Sequence, residues 1–175
     1  MPFHIRPFQK ADFDTLWRID QACFDPQLAY SQRELAFYMG RPGAFSLVAE
    51  APTNGAPKNP VKHSSPRHSD SKDMPLAGIL GFVVAEVRRQ NGHIITIDVI
   101  AEARRAGVGA GLLRAAEERL RDAGALAVAL ETPVNNEAAI RFYKNEGYFV
   151  EKTVRGYYSN QLDALVMTKS LAGTG

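Results

Sequence analysis

The chain has 175 residues, enough for one domain with a sizeable core but too few for two ordinary domains. Its 21 Lys and Arg residues against 19 Asp and Glu residues give a formal net charge of +2, which indicates neither a nucleic-acid-binding protein nor an acidic surface. A single cysteine, Cys23, excludes an internal disulfide framework, and no stretch approaches the roughly 18 consecutive apolar residues of a membrane-spanning helix. We therefore expect a cytoplasmic protein with no membrane or nucleic-acid partner.

The first half of the chain alternates β-type and helical runs. The second helical run opens at Ser31 with Glu34 three positions later, the spacing of a capping box, and ends at Gly40. Further along, two β-branched runs are separated by residues 89–92, which include Asn91-Gly92, the strongest local signal for a β-hairpin. The pattern predicts strands over 3–6, 44–50, 76–88 and 92–100, and helices over 11–24 and 31–40.

Residues 51–75 differ in composition from the rest of the chain. They hold five of the ten prolines and almost no apolar residues, so they bury too little surface to offset the entropy of ordering them. We expect a flexible insertion inside a single domain that spans 1–175. Its His63 and His68 have no nearby cysteine, so we expect no metal site.

The second half returns to regular alternation. A leucine-rich helix opens at a glycine-rich turn and ends at Gly124. Strands are predicted over 125–131, 148–154 and 163–169, with a helix over 136–146. The complete order, β-α-α-β-β-β-α-β-α-β-β, defines a mixed α/β domain.

The turn before the leucine-rich helix, residues 104–109, carries two arginines and two glycines. Unpaired backbone N–H groups and the helix dipole favour an anion at a helix start, and glycines let a phosphate approach closely. A dinucleotide fingerprint would need a third glycine where Leu112 stands, and a P-loop would need a lysine that this segment lacks. The glycines alone leave two interpretations open, a phosphate-binding turn and an empty glycine-capped turn.

The wider pattern narrows these alternatives. Arg104-x-x-Gly107-x-Gly109, directly after a strand and opening a helix, resembles the acetyl-CoA-binding motif of the GNAT N-acetyltransferase superfamily. The ending "RGYYSNQLDALVMTK" resembles that of the ribosomal-protein alanine N-acetyltransferases, and the opening "IRPFQKADFDTLWRIDQACF" also matches the superfamily. A later block matches the spacing of a second family motif through Asn136, Ala139, Tyr143, Gly147 and Tyr148.

The resemblance implies a fold and a co-substrate. The fold is a mixed, mostly antiparallel central sheet with helices on both faces and a V-shaped splay between the fourth and fifth strands. The amides of 105–110 would hold the pyrophosphate of acetyl-CoA, and the backbone of 97–99 would hydrogen-bond its pantetheine arm, although Asp98 departs from the usual family pattern. The implied cofactor-binding residues are Ile97, Asp98, Val99, Arg104, Arg105, Ala106, Gly107, Val108, Gly109, Ala110 and Asn136.

The resemblance also implies two catalytic residues for acetyl transfer to an amine, Glu131 as general base and Tyr143 as general acid. A carboxylate with a pKa near 4.3 would take a proton from an α-ammonium with a pKa near 7.8 uphill by nearly 5 kcal/mol, so we expect a water relay or a raised pKa. Simpler interpretations are a surface glutamate at a strand end and a core tyrosine.

The preferred acceptor is a protein N-terminal α-amine, because about one α-amine in seven is neutral at pH 7 against about one lysine in 2,500. A small-molecule amine is the main alternative, followed by a non-catalytic CoA-binding module and a nucleotide-binding Rossmann domain. Asn136 has a simpler role as a helix N-cap, and His93 as an exposed hairpin residue. The candidates for binding the acceptor are His93, Arg155, Tyr157 and Tyr158.

Overall fold

The computed structural model describes residues 1–52 and 78–173 of the chain. Seven strands are present there: β1 (His4–Pro7), β2 (Ala44–Glu50), β3 (Ile79–Arg88), β4 (Asn91–Val99), β5 (Ala127–Pro133), β6 (Phe149–Val154) and β7 (Ala164–Ser170). Four α-helices accompany them: α1 (Phe13–Cys23), α2 (Gln32–Met39), α3 (Val108–Asp122) and α4 (Glu137–Asn145). The predicted order of elements is confirmed. Apart from residues 51 and 52, the predicted flexible insertion lies outside the described residues, and so do His63 and His68.

The strands form one sheet in the order β1-β2-β3-β4-β5-β7-β6. Every neighbouring pair is antiparallel except β4 and β5, which are parallel and joined through α3. These two strands pair only between residues 91–93 and 127–129, although β4 runs on to Val99 and β5 to Pro133. The sheet is therefore splayed between its fourth and fifth strands, as predicted.

Both faces of the sheet carry a hydrophobic core. On one face, α3 packs Leu112, Leu113 and Leu120 against side chains such as Val83 and Val128. On the other face, α1 and α2 enclose the fully buried residues Leu16, Ile19, Leu35, Val48, Phe82 and Val84. Because successive strand residues point to opposite faces, one continuous apolar run such as β3 supplies both cores. The predicted helices on both faces are confirmed.

The structure tests two local predictions, the capping box and the β-hairpin. Ser31 and Glu34 form the predicted capping box, with the Ser31 Oγ accepting from the Glu34 N–H at 3.2 Å. The β3–β4 hairpin is present, but its turn lies at residues 89–90, because residue 88 pairs with Asn91. The link is therefore two residues shorter than the predicted 89–92, since Asn91 and Gly92 already belong to β4. A Cβ at Gly92 would lie 2.8 Å from the Leu120 Cδ1, so this glycine serves the approach of α3 to the sheet.

A buried polar contact ties α3 to the far edge of the sheet. Glu117 of α3 is 4% exposed and accepts hydrogen bonds from the Tyr148 hydroxyl at 2.9 Å and from the Lys169 Nζ of β7 at 2.7 Å. The glutamate thereby satisfies two donors from the β5–β7–β6 side of the splay. This contact fixes the helix that follows the glycine-rich turn relative to that half of the sheet.

Replacing Glu117→Ala should lower the free energy of unfolding by about 2 to 3 kcal/mol, because it leaves the Lys169 ammonium and the Tyr148 hydroxyl without their partner. Urea denaturation of purified protein measures this loss. The exposed neighbour Glu118 provides the control, since Glu118→Ala should change stability by less than about 0.5 kcal/mol. Equal stability of the two variants would contradict the prediction.

Candidate active site

Two neighbouring cavities, which share five lining residues, occupy the splay. The larger, of about 870 Å³, is bounded by the end of β4, the glycine-rich turn and α4. The smaller, of about 150 Å³, lies between β4 and β5. The residues common to both linings are Phe24, Ile97, Asn136, Ala139 and Tyr143.

The glycine-rich turn forms one wall of the larger cavity. Gly107, with a φ of +82°, is the N-cap of α3, and Arg105 also has a positive φ of +62°. The left-handed backbone at these two positions turns the chain from the end of β4 into α3. The first N–H groups of the helix have no intrahelical partners. The Arg104 Nε donates to the Val99 carbonyl at 3.1 Å, so its side chain braces the splayed end of β4.

Most of the predicted cofactor-binding residues meet around this cavity. Two do not line it: Val108, the first residue of α3, is fully buried in the core, and Ala106 packs against that core. The predicted residues that do line it are Ile97, Asp98, Val99, Arg104, Arg105, Gly107, Gly109, Ala110 and Asn136.

Asn136 is the N-cap of α4, because its Oδ1 accepts from the Ala139 N–H at 3.1 Å. The capping interpretation is therefore confirmed. Its place in the lining of both cavities also leaves it beside any molecule that occupies them.

Tyr143 of α4 stands where the two cavities meet. It is 8% exposed and contacts Phe142 and Tyr148 edge to face, with ring centroids 5.1 and 5.8 Å apart. Burial raises the pKa of Tyr143, and the negative charge of Asp98 raises it further. The hydroxyl therefore keeps its proton at neutral pH and is available as a hydrogen-bond donor.

Glu131 lines the smaller cavity near the end of β5, and it is hydrogen-bonded to His93. The His93 Nε2 lies 2.6 Å from the Glu131 Oε2. The interpretation of His93 as an exposed hairpin residue is wrong, since its side chain is only 34% exposed and has this carboxylate partner. His93 pairs with Ala129 in the short parallel contact, so Glu131, two residues further along β5, points to the same face.

A second carboxylate, Glu86, lies on the other side of His93. The two residues are register partners on β3 and β4, and the His93 Nδ1 lies 3.6 Å from the Glu86 Oε1. Glu86 is 3% exposed, with the Nε atoms of Arg41 and Arg88 at 3.3 and 3.5 Å from its oxygens. Burial lowers the pKa of His93, but the hydrogen bond and charge of Glu131 and the charge of Glu86 outweigh it, so the pKa is raised.

Glu86 was not predicted as a site residue. The signal available in the sequence was one acidic residue inside the apolar run of β3, because such a residue is rarely buried without partners.

The predicted acceptor-binding residues near the C-terminus separate into two groups. Tyr158 lines the smaller cavity, whereas Tyr157 packs edge to face on it from outside, at 4.9 Å between centroids, and Arg155 is exposed outside both linings. The Ser159 Oγ donates to the Gln27 carbonyl at 2.9 Å. This bond joins the loop before β7 to the loop after α1 beside the smaller cavity.

Two buried carboxyl groups lie between α1 and β4. Asp98 accepts from the Thr96 hydroxyl at 3.1 Å, but its Oδ2 has no hydrogen-bond partner, and the Oδ1 of Asp20 has none either. Burial raises the pKa of Asp98 well above its ordinary value, with a further contribution from the charge of Asp20. Burial also raises the pKa of Asp20 to about 6.

These features define a mixed α/β protein whose cleft joins the glycine-rich start of a helix to a carboxylate and a tyrosine. Residues 63–148 match the model of the acetyltransferase (GNAT) family. This region of the chain is similar to a GNAT acetyltransferase domain.

Curated relatives agree with this family. An N-alpha-acetyltransferase of Sulfurisphaera tokodaii is 36% identical over 83 residues, which cover 47% of this chain and 50% of the relative. N-alpha-acetyltransferase 20 of Dictyostelium discoideum is 34% identical over 105 residues, covering 58% of this chain and 60% of the relative. The chain thus spans between half and three fifths of the length of these relatives.

Solved structures share the fold over the full length. Ard1 from Thermoplasma volcanium superposes with a TM-score of 0.76 at 23% identity, covering 99% of this chain and all of that one. The ribosomal-protein-S18-alanine N-acetyltransferase from Escherichia coli gives 0.75 at 20% identity, covering 99% and 97% of the two chains. Among the described residues, none of the helices is both long and apolar enough to cross a membrane.

Replacing Asp98→Asn should raise the thermal unfolding midpoint at pH 8, and the gain should shrink as the pH falls. A carboxyl group whose folded-state pKa is raised costs nothing while it is protonated, and its penalty grows as the pH rises from the unfolded value through the folded one. We expect a gain of at least about 2 °C at pH 8, measured by differential scanning calorimetry. Exposed Asp25→Asn is the control, and a loss of stability at every pH would contradict the prediction.

Proposed function

We propose that the protein is an acetyl-CoA-dependent N-acetyltransferase whose preferred acceptor is a protein N-terminal α-amine of the ribosomal-protein type. The observation that carries this proposal is the position of Tyr143 at the junction of two cavities, with the glycine-rich turn at the far side of one and Glu131 in the wall of the other. The names of the curated N-alpha-acetyltransferase relatives support the same acceptor class.

The larger cavity would hold acetyl-CoA. The N–H groups at the start of α3 suit a pyrophosphate, with Arg104 and Arg105 beside them in the cavity wall. A Cβ at Gly109 would meet only ordinary contacts, the closest at 3.5 Å from the Phe142 ring, so protein packing does not require glycine there. An open surface kept free of a side chain fits a ligand that approaches the backbone closely.

The smaller cavity would hold the amine, which attacks the thioester carbonyl directly. A bond forms between the amine nitrogen and the acetyl carbon, and the carbon–sulfur bond breaks. Glu131 accepts the proton that the amine loses, directly or through water, and the Tyr143 hydroxyl donates a hydrogen bond to the departing sulfur. Because the pKa of Tyr143 is raised, stabilisation of the thiolate by this hydrogen bond precedes or replaces full proton transfer.

The walls of the smaller cavity are largely apolar and aromatic, through Phe24, Leu28, Tyr30 and Tyr158. Its volume of about 150 Å³ suits one terminal residue of a peptide or one small amine. An α-amine needs less help from the base than a lysine does, which favours the peptide. The domain extent of 1–175, the cytoplasmic location and the absence of nucleic-acid and membrane partners stay predictions.

An acceptor screen tests the function. Thiol release from acetyl-CoA should depend on peptides copied from ribosomal-protein N-termini, and Tyr143→Phe and Glu131→Gln should each lower kcat at least about 100-fold with that acceptor. Glu151→Gln, which is exposed and lies outside both linings, should retain the rate. A panel acetylated only on polyamines would reassign the acceptor, no acetylation would indicate a CoA-binding module, and unchanged rates in both site variants would refute the assigned roles.

Replacing Gly109→Ala should weaken CoA binding at least about tenfold, because the methyl group would occupy the proposed phosphate surface. Gly111→Ala is the matched control on the same helix. A Cβ there would meet the Phe3 ring at 3.0 Å on the core side, and Gly111 does not line the cavity. Isothermal titration with CoA measures both dissociation constants, and equal values for the two variants would argue against this phosphate site.

A further inference from the structure

Three side chains from three adjacent strands form a row that leads away from the smaller cavity. Glu131 lines that cavity, and His93 does not. His93 is bonded to Glu131 through Nε2, and Glu86 lies beyond it, facing Nδ1. His93 therefore meets the reacting groups only through Glu131.

The short contact between His93 and Glu131 shows that a proton lies between the two side chains. A separation of 2.6 Å between a ring nitrogen and a carboxylate oxygen requires a proton between them, because two bare lone pairs would repel. A neutral His93 with its proton on Nε2 satisfies this requirement and holds the Oε2 of Glu131 in place. A protonated His93 satisfies it as well and directs its second N–H towards Glu86.

The two protonation states affect Glu131 differently. A neutral imidazole orients the carboxylate and leaves its other oxygen free for the amine proton or a bridging water. An imidazolium places a full positive charge at the same short distance, which stabilises the ionised carboxylate and makes it a poorer proton acceptor.

We propose that His93 is a positioning residue that orients Glu131 and, by gaining a proton, switches off its action as the general base. This proposal rests on the proposed function and adds to it the group that controls the base. Glu86, held by the cations of Arg41 and Arg88, stabilises the protonated form and so sets the pH at which the switch operates.

The carboxylates around His93 favour its protonated form. The carboxylates of Glu131 and Glu86 face it from β5 and β3, and the pKa of His93 is raised, so its charge change falls above its ordinary value near 6.5. Burial raises the pKa values of Tyr157 and Tyr158, whose hydroxyls are the other titratable groups that sense Glu131, and keeps them neutral in this range.

The pH dependence of kcat/KM tests the switch with the acceptor found above. His93→Gln keeps an N–H donor for Glu131 but does not titrate, so at pH 8 it should retain kcat within about tenfold. On the acid side, the slope of log(kcat/KM) against pH should be smaller by about one unit than in the wild type, because one required deprotonation is lost. His93→Leu, without a donor, should have a lower kcat than His93→Gln at every pH.

Two results would overturn the proposal. Equal acid slopes in the wild type and in His93→Gln would show that His93 does not gate the base. A His93→Gln variant as inactive as Glu131→Gln at pH 8 would show that the imidazole itself is required in the reaction. A wild-type protein that acetylates no amine contradicts the proposed function instead, so the two failures are distinguishable.

An NMR titration of His93 tests the proposal without an activity assay, in variants of the two carboxylates beside the ring. The chain has four histidines, and the His93 signal in an NMR titration is the one that disappears in His93→Gln. The pKa of His93 should fall in both Glu131→Gln and Glu86→Gln, because each change removes a negative charge beside the ring. An unchanged pKa of His93 in both variants would refute the coupling.

Discussion

The short parallel contact between β4 and β5 is the constraint on which the rest of the molecule depends. The strands share only three residue pairs before they part, so most of one edge of β4 and of β5 is left without a strand partner. Both cavities lie in the resulting gap. Because β4 and β5 are parallel, the chain must cross over between them, and it does so through α3. This helix begins at the glycine-rich turn beside the open end of β4. The parallel pairing of β4 and β5 therefore produces the cleft and places the start of α3 beside it.

An open gap inside a sheet is costly, because unpaired backbone groups need partners elsewhere. The structure offsets this cost with cores on both faces and with local partners at the splayed end. The Val99 carbonyl accepts from the Arg104 Nε and, at 3.4 Å, from the Cys23 Sγ. On the opposite half of the sheet, Glu117 connects α3 to β7, so the helix that carries the turn is attached on both sides of the gap.

Buried carboxyl groups with unpartnered oxygens lie around the same gap. Within the described residues, the buried side-chain oxygens without hydrogen-bond partners belong to Asp20, Glu86 and Asp98. Asp98 lines the larger cavity, and Glu86 lies behind the His93–Glu131 pair. Buried carboxylates with unmet hydrogen-bonding capacity lower stability, and their accumulation beside a cleft is typical of sites where pKa values are adjusted for chemistry.

The sequence by itself determined the features that depend on neighbours along the chain. Element order followed from periodicity, the capping box from Ser31 and Glu34, and the turn before α3 from the spacing of Arg104, Gly107 and Gly109. Only the tertiary structure decided which strands pair across the crossover. The contact between His93 and Glu131 joins residues 38 positions apart, and it depends on a register that a one-residue shift would destroy by turning Glu131 to the other face. The hairpin link is shorter than predicted for the same reason: Gly92 lies in β4 against Leu120 of α3, and local turn preference carries no information about that contact.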